Sequence, residues 1–201
     1  MNISQKQPMR RWEMSALGRA NLSLVTTSMP QPRAGEVLVK VAAVALNSRD
    51  ALLIETGLGL PLAFPFVPTS DLAGTIVASG DGATRFKEGD RVISAFSAGW
   101  IDGPPPGNGR TPHPTLGGIY PGVLAEFVAL PEAWLVRAPA NLEDHEASTL
   151  PCAGLTAWSA LVEFGSVHGG QTVVVHGTGG VALFGLQIAK APRSAASNLD
   201  I

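Results

Sequence analysis

Val173-Val174-Val175-His176-Gly177-Thr178-Gly179-Gly180-Val181-Ala182 decides how the end of this 201-residue chain is read. Three β-branched residues favour a pleated strand, the glycines favour a tight turn, and Leu183 to Lys190 carries a helical apolar pattern. Gly177, Gly179 and Ala182 fit the spacing G-x-G-x-x-G/A, in which backbone N–H groups and a helix N-terminus hold a pyrophosphate. Taken alone, the same spacing also describes a tight strand-to-helix turn in any α/β protein. A complete dinucleotide site needs a second parallel strand about 20 residues on. Ala191 to Ile201 is instead small, polar and without a strand pattern. The expectation is an α/β unit begun but not finished, with an open edge that invites pairing with another chain, as a homo-oligomer or on a longer homologue.

Moving back along the chain, two helices are expected ahead of the valine run. Asn141-Leu142-Glu143-Asp144-His145-Glu146-Ala147-Ser148-Thr149-Leu150 reads as a capped helix with carboxylates in its first turn. Ala153 to Phe164 reads as a second, because Leu155, Trp158, Leu161 and Val162 recur at three- and four-residue spacing. Gly165 and Gly169-Gly170 end it.

Further back the texture is β. Leu22 to Thr26, Val37 to Leu46, Asp71 to Gly80, Gly89 to Ala95, Gly122 to Leu130 and Ala133 to Val136 read as short strands divided by Gly/Pro turns, the pattern of a small barrel or sandwich. Within this region Asn47 to Thr56 is expected to be a short helix, capped by Asn47 or Ser48 and stopped by Gly57. Gly99 to Gly122 is too rich in glycine and proline for regular structure. It is either a lip over a substrate mouth, with Trp100 and Tyr120 as aromatic faces, or a variable insertion.

Composition narrows the function. A net charge of −2 without a basic stripe argues against nucleic acid and anionic membrane. Met1 to Met14 is polar and lacks the apolar core of a secretory signal, and no stretch of about 18 apolar residues exists. A single cysteine excludes an intramolecular disulfide and a cysteine-rich zinc site. The expected setting is cytoplasmic, and the expected partner a small molecule.

Four stretches, in order, carry a resemblance: Asn47-Ser48-Arg49-Asp50, Arg85-Phe86-Lys87-Glu88-Gly89-Asp90-Arg91-Val92, Leu150-Pro151-Cys152-Ala153-Gly154-Leu155-Thr156-Ala157-Trp158, and Gly177-Thr178-Gly179-Gly180-Val181. Together they resemble the medium-chain dehydrogenase/reductase superfamily, in its zinc-independent, quinone-oxidoreductase-like branch. The resemblance implies a β plus α/β protein: a GroES-like, partly open β-barrel followed by the opening strand–turn–helix of an incomplete Rossmann fold. It divides the chain into a GroES-like domain at 1–140, connecting helices at 141–170, the start of a Rossmann domain at 171–191 and a tail unrelated to the family at 192–201. It further implies NADP or NAD as cofactor and hydride transfer to a quinone, enone or carbonyl. Zinc-dependent members hold their metal with a Cys, a His and a further Cys or Asp; here those positions read Asn47, Ser70 and Cys152. One thiol without an imidazole does not make a catalytic zinc site, so no zinc is expected.

For site residues the resemblance implies Asn47 and Thr156 at the reacting end of the cofactor, and Asn47, Arg49, Thr156, Gly177, Thr178, Gly179, Gly180 and Val181 around it. Each has a structural alternative. Asn47 and Arg49 also suit a helix cap and a solvated first-turn charge, and a Thr156 hydroxyl also suits a bond to the preceding turn. Cys152 reads as a small buried hydrophobe, His176 as a partly buried imidazole, His145 as a surface helix residue and His113 as solvent-facing. Asp71 and Asp90 read as turn and ion-pair residues. Two functions of different class follow: a metal-free NAD(P)H-dependent oxidoreductase, impaired in this form, or a non-catalytic GroES-like remnant or interaction module that binds no cofactor.

Overall fold

A computed structural model describes residues 7–101, 103 and 114–191. The tail at 192–201, and residues 102 and 104–113 of the Gly/Pro segment, His113 among them, lie outside the described residues. The chain divides into two compact units, Met1–Pro151 and Cys152–Ile201.

The first unit is built on two open sheets. Strands β1 (Pro8–Met14) and β2 (Leu22–Ser28) pair antiparallel. Strands β3 (Glu36–Ala45), β4 (Asp71–Ser79), β5 (Arg91–Ser94), β6 (Phe127–Pro131) and β7 (Leu135–Arg137) form a five-stranded antiparallel sheet in the order β6-β3-β4-β5-β7. Neither closes on itself among the described residues, which agrees with a partly open architecture.

Strand β3 is central, and its sequence shows why. Val37, Leu38 and Val39 are all fully buried, so the strand does not alternate as a half-exposed one would. Val37 and Val39 enter the main core with Leu72, Ile76, Val92 and Leu135. Leu38, on the opposite face, packs with Met9 of β1 and with Met29 just beyond β2. Truncating a side chain so placed costs about 2–5 kcal/mol.

Strand β1 had no counterpart in the sequence reading. Its two buried residues, Met9 and Met14, lie five positions apart and therefore on opposite faces. Met9 joins the Leu38 cluster, whereas Met14 joins Leu53 and Phe66. A strand that serves two cores displays no simple period.

Helix α1 (Ser48–Thr56) follows β3 directly, with Asn47 at its N-cap and Gly57 in the left-handed conformation (φ +68°) at its end. Gly57 suits that role because a left-handed residue can close the last turn only cheaply without a Cβ. Helix α2 is shorter than expected, Asp144–Ala147, because the chain first makes a turn in which the Leu142 N–H donates to Pro139 O. Arg91 ties α2 to β5 by donating twice to Asp144 Oδ1, from Nη2 at 2.6 Å and Nε at 2.9 Å, and once to Leu142 O.

The second unit contains α3 (Leu155–Trp158), which lies within a longer helical run, and α4 (Gly180–Lys190). Wider, π-type turns flank α3 at Leu150–Gly154 and Ser159–Phe164. Val173-Val174-Val175 makes no ladder hydrogen bonds with the described residues. Its composition favours a strand, but a strand is defined by lateral partners, and no described segment lies beside it as one.

Candidate functional site

Asn47 and Asp50 hold the first turn of α1 from both sides. The Asp50 N–H donates to the Asn47 carbonyl at 2.9 Å, and Asp50 Oδ2 accepts from the Asn47 N–H at 2.7 Å. Asp50 is 3% exposed, unusual for a carboxylate. Burial raises its pKa above the usual 3.8, and the charge of Asp71 pushes the same way; the Asn47 N–H and the Arg49 guanidinium oppose them. Its other oxygen, Oδ1, makes no hydrogen bond, and neither does the buried Asn47 Nδ2.

Arg49 is not a solvated charge. Its guanidinium lies 4.9 Å from the centre of the Phe96 ring and donates to Leu116 O at 3.3 Å and Thr115 Oγ1 at 3.2 Å. It ties α1 to the base of the Gly/Pro segment, where Ser97 and Thr115 form an isolated bridge.

Residues Phe66 to Asp71 run buried toward β4. Thr69 adopts φ +72°, which a β-branched residue rarely does. It is held there by neighbours without side chains: a Cβ on Gly117 would stand 2.5 Å from the Thr69 carbonyl carbon, and one on Gly122 would collide with the Thr69 and Pro68 carbonyl oxygens. The Val123 N–H donates to Thr69 O at 3.1 Å and the Gly122 N–H to Val67 O at 2.6 Å. Thr69 Oγ1 is buried without a partner. Ser70 Oγ donates to Asp71 Oδ1 at 2.5 Å, and Ser94 Oγ donates to Ser70 O at 2.8 Å. Asp71, read from sequence as a turn or ion-pair residue, is fully buried at the start of β4. Asp90 does act in a turn and an ion pair, with the Lys87 N–H and Arg137.

In the second unit Thr156 lies on α3, and its side chain is exposed. Gly177 takes φ +81° and Gly179 caps α4 in an extended conformation with no side-chain cap. Nothing lies within 4 Å of a Cβ built on Gly177 or Gly179. The first helical bond of α4 is Leu183 N–H to Gly179 O at 3.0 Å, so the N–H groups of Gly180, Val181 and Ala182 have no acceptor within the helix. Gly180 plays a different part: its Cβ would stand 3.3 Å from that of Ala153, three residues before Thr156. Here it is the third glycine of the turn, not Ala182, that permits close helix packing.

Asn47 and Arg49 thus belong to the first unit, and Thr156 with Gly177, Thr178, Gly179, Gly180 and Val181 to the second. Among the other side chains weighed from sequence, His145 is exposed as expected, whereas His176 is exposed rather than partly buried and Cys152 is half-buried. Tyr120 packs on Trp134 with ring centres 4.7 Å apart. Among the described residues no group of three or more His, Cys, Asp or Glu side chains could hold a metal ion, and no helix is long and apolar enough to cross a membrane.

Residues 33–140 match the alcohol dehydrogenase GroES-like domain, over the same strands and α1 that hold Asn47, Arg49 and Asp50. The chain belongs to that family. Its membership of the GroES-like family brings it into the medium-chain dehydrogenase/reductase superfamily. The chain is 44% identical to a zinc-type alcohol dehydrogenase-like protein of Schizosaccharomyces pombe over 78% of its own length and 45% of that protein. It is 32% identical to a chloroplastic quinone-oxidoreductase of Triphysaria versicolor over 86% of its length and 49% of that protein. A crystal structure from Sinorhizobium meliloti 1021, described as that of an alcohol dehydrogenase, matches with a TM-score of 0.89 and 56% identity over 92% of this chain and 55% of that one. This GroES-like chain spans about half the length of the relatives it matches.

Two residues of interest, Asp50 and Thr69, were not singled out by sequence reasoning. The spacing Asn47-x-x-Asp50 carried a signal for the first, since an acid three residues after a cap resembles a capping box. Nothing local announced the left-handed Thr69.

Proposed function

We propose that this chain supplies the GroES-like and nucleotide-entry parts of a zinc-independent, NAD(P)H-dependent oxidoreductase acting on a quinone, an enone or a carbonyl. The observation that supports the reading most is the open glycine turn at the head of α4. Its uncapped N–H groups and the free space over Gly177 and Gly179 suit a pyrophosphate, which needs donors and close backbone approach together. Gly177, Thr178, Gly179, Gly180 and Val181 would hold the cofactor there. The bound nicotinamide supplies a hydride.

The donors at the positions of the family's zinc ligands are an amide (Asn47), a hydroxyl (Ser70) and a thiol (Cys152), a poor set for catalytic zinc. With no Lewis acid, charge developing on a substrate oxygen must be met by hydrogen bonds. The exposed Thr156 hydroxyl is such a donor in our reading. Arg49 contributes through α1, by holding the turn that carries Asn47.

The non-catalytic alternative draws on exposed Val174, Leu183 and Leu186, apolar surface suited to another polypeptide. Titration of the purified chain with NADPH, followed by nicotinamide fluorescence and checked for folding by circular dichroism, separates the two. Saturable binding, then NADPH consumption with a quinone or enone, supports the oxidoreductase. A folded chain that binds no NADPH overturns it in favour of an interaction module.

A further inference from the structure

The β3–β4 ladder ends on the pair Ala45–Asp71, so Asn47 and Thr69 each lie two residues past its end. Around this point three polar atoms are buried and make no hydrogen bond to the protein: Asn47 Nδ2, Asp50 Oδ1 and Thr69 Oγ1. Asp50 is joined to Asn47 by its other oxygen and feels the charge of Asp71, two residues from Thr69. Asp50 and Thr69 are 3% and 1% exposed. Leaving a buried polar group unsatisfied costs about 1–3 kcal/mol, and Thr69 is also held at a strained φ of +72°. The ladder register brings Asn47 and Thr69 to the same end of the β3–β4 pair, and the Asn47–Asp50 bond brings Asp50 with them; buried polar groups so placed call for a partner.

Their chemistry says what. Asn47 Nδ2 only donates, a carboxylate oxygen accepts, and a hydroxyl does either. A cation would be opposed by the amide hydrogens of Asn47, and an anion by Asp50. A water molecule accepts from Asn47 Nδ2, donates to Asp50 Oδ1 and completes a third bond with Thr69 Oγ1, the usual number of partners for a buried water. We infer that Asn47, Asp50 and Thr69 form a binding site for one buried water molecule, which fixes the plane of the Asn47 amide. The Asn47 backbone is already fixed through Asp50 Oδ2 at 2.7 Å, so the amide plane is the freedom that remains. Asp50 and Thr69 are then positioning residues for Asn47.

The test is nuclear magnetic resonance on the 15N-labelled full chain without cofactor, so its failure and that of the oxidoreductase reading are distinguishable. Rotating-frame transfer from a long-lived water to the Asn47 side-chain NH2 pair is expected in the wild type. Thr69→Ser, which keeps the hydroxyl, should retain it. Thr69→Val keeps the β-branch, and with it the backbone strain, but removes the hydroxyl; it should lose the transfer and shift the Asn47 pair. Dispersed backbone amides report folding in each sample. A folded wild type with no transfer to Asn47 overturns the inference, as does a folded Thr69→Val that retains it unchanged. Should Thr69→Val not fold, the wild type and Thr69→Ser decide: transfer in both supports the site, and its absence from the wild type overturns it.

Discussion

The Arg49 guanidinium lies over the Phe96 ring, 4.9 Å from its centre, while its N–H groups reach Thr115 and Leu116. A planar, forked cation makes all of these contacts at once, and an ammonium cannot. Arg49→Lys should therefore lose about 1 kcal/mol of stability despite keeping the charge. Denaturant unfolding measures it, and a midpoint equal to wild type would show that the contacts carry no stability.

Gly179 has open space where a side chain would stand, so Gly179→Asp should fold like the wild type. It would place a carboxylate against the proposed pyrophosphate. We expect the NADPH dissociation constant to rise at least about tenfold, or about 1.4 kcal/mol. Fluorescence titration reads it, and unchanged affinity in a folded variant would remove the glycine turn from the cofactor site.

Three carboxylates should shape the acid behaviour of the first unit. Burial raises the pKa of Asp50 above 3.8, so the folded state holds its proton at pH values where the unfolded chain has released it. The Asp50 contribution to stability is then most favourable below pH 3.8 and weakens as pH rises through the folded-state value. Asp50→Asn should remove that slope, seen as convergence of the two proteins' stabilities on acidification. Asp90 and Glu126 act oppositely, lowered first by the Lys87 and Arg10 backbone N–H groups respectively. Their contribution is present above pH 3.8 and 4.5 and is lost as pH falls through their lower folded-state values. Chemical denaturation at stepped pH, with Asp90→Asn and Glu126→Gln beside Asp50→Asn, should give slopes of opposite sign.

Arg91 joins β5 to α2 through Asp144 and also donates to Leu142 O at 2.8 Å. Arg91→Ala should therefore cost more than Asp144→Ala. A double-mutant cycle should give a coupling of about 1 kcal/mol, at the upper end for partly exposed pairs. A coupling near zero would mean that the pair contributes geometry without energy.

Much of this was legible in the sequence, because local chemistry and global fold agreed. The valine-rich β3, the Asn47 cap, the Gly57 stop and the glycine turn before α4 each carry their cause in adjacent residues. What stayed hidden depends on distant residues. Strand β1 divides Met9 and Met14 between two cores, so its period vanishes. Thr69 is forced left-handed by glycines about fifty residues on, and Arg49 is turned inward by Phe96, Thr115 and Leu116. His176 read as half-buried because strand valines precede it, yet no described strand covers it.

The contact of Gly117 and Gly122 with the Thr69 backbone has a consequence for how this region can change. Connecting segments ordinarily tolerate substitution freely, and one so rich in glycine and proline invites that treatment. Here the two glycines are the mould in which Thr69 is cast. Replacing either with alanine would force the buried Pro68–Thr69 backbone to move rather than the surface. An engineer who wished to redesign the segment would leave these two positions as fixed anchors and vary only what lies between its far ends.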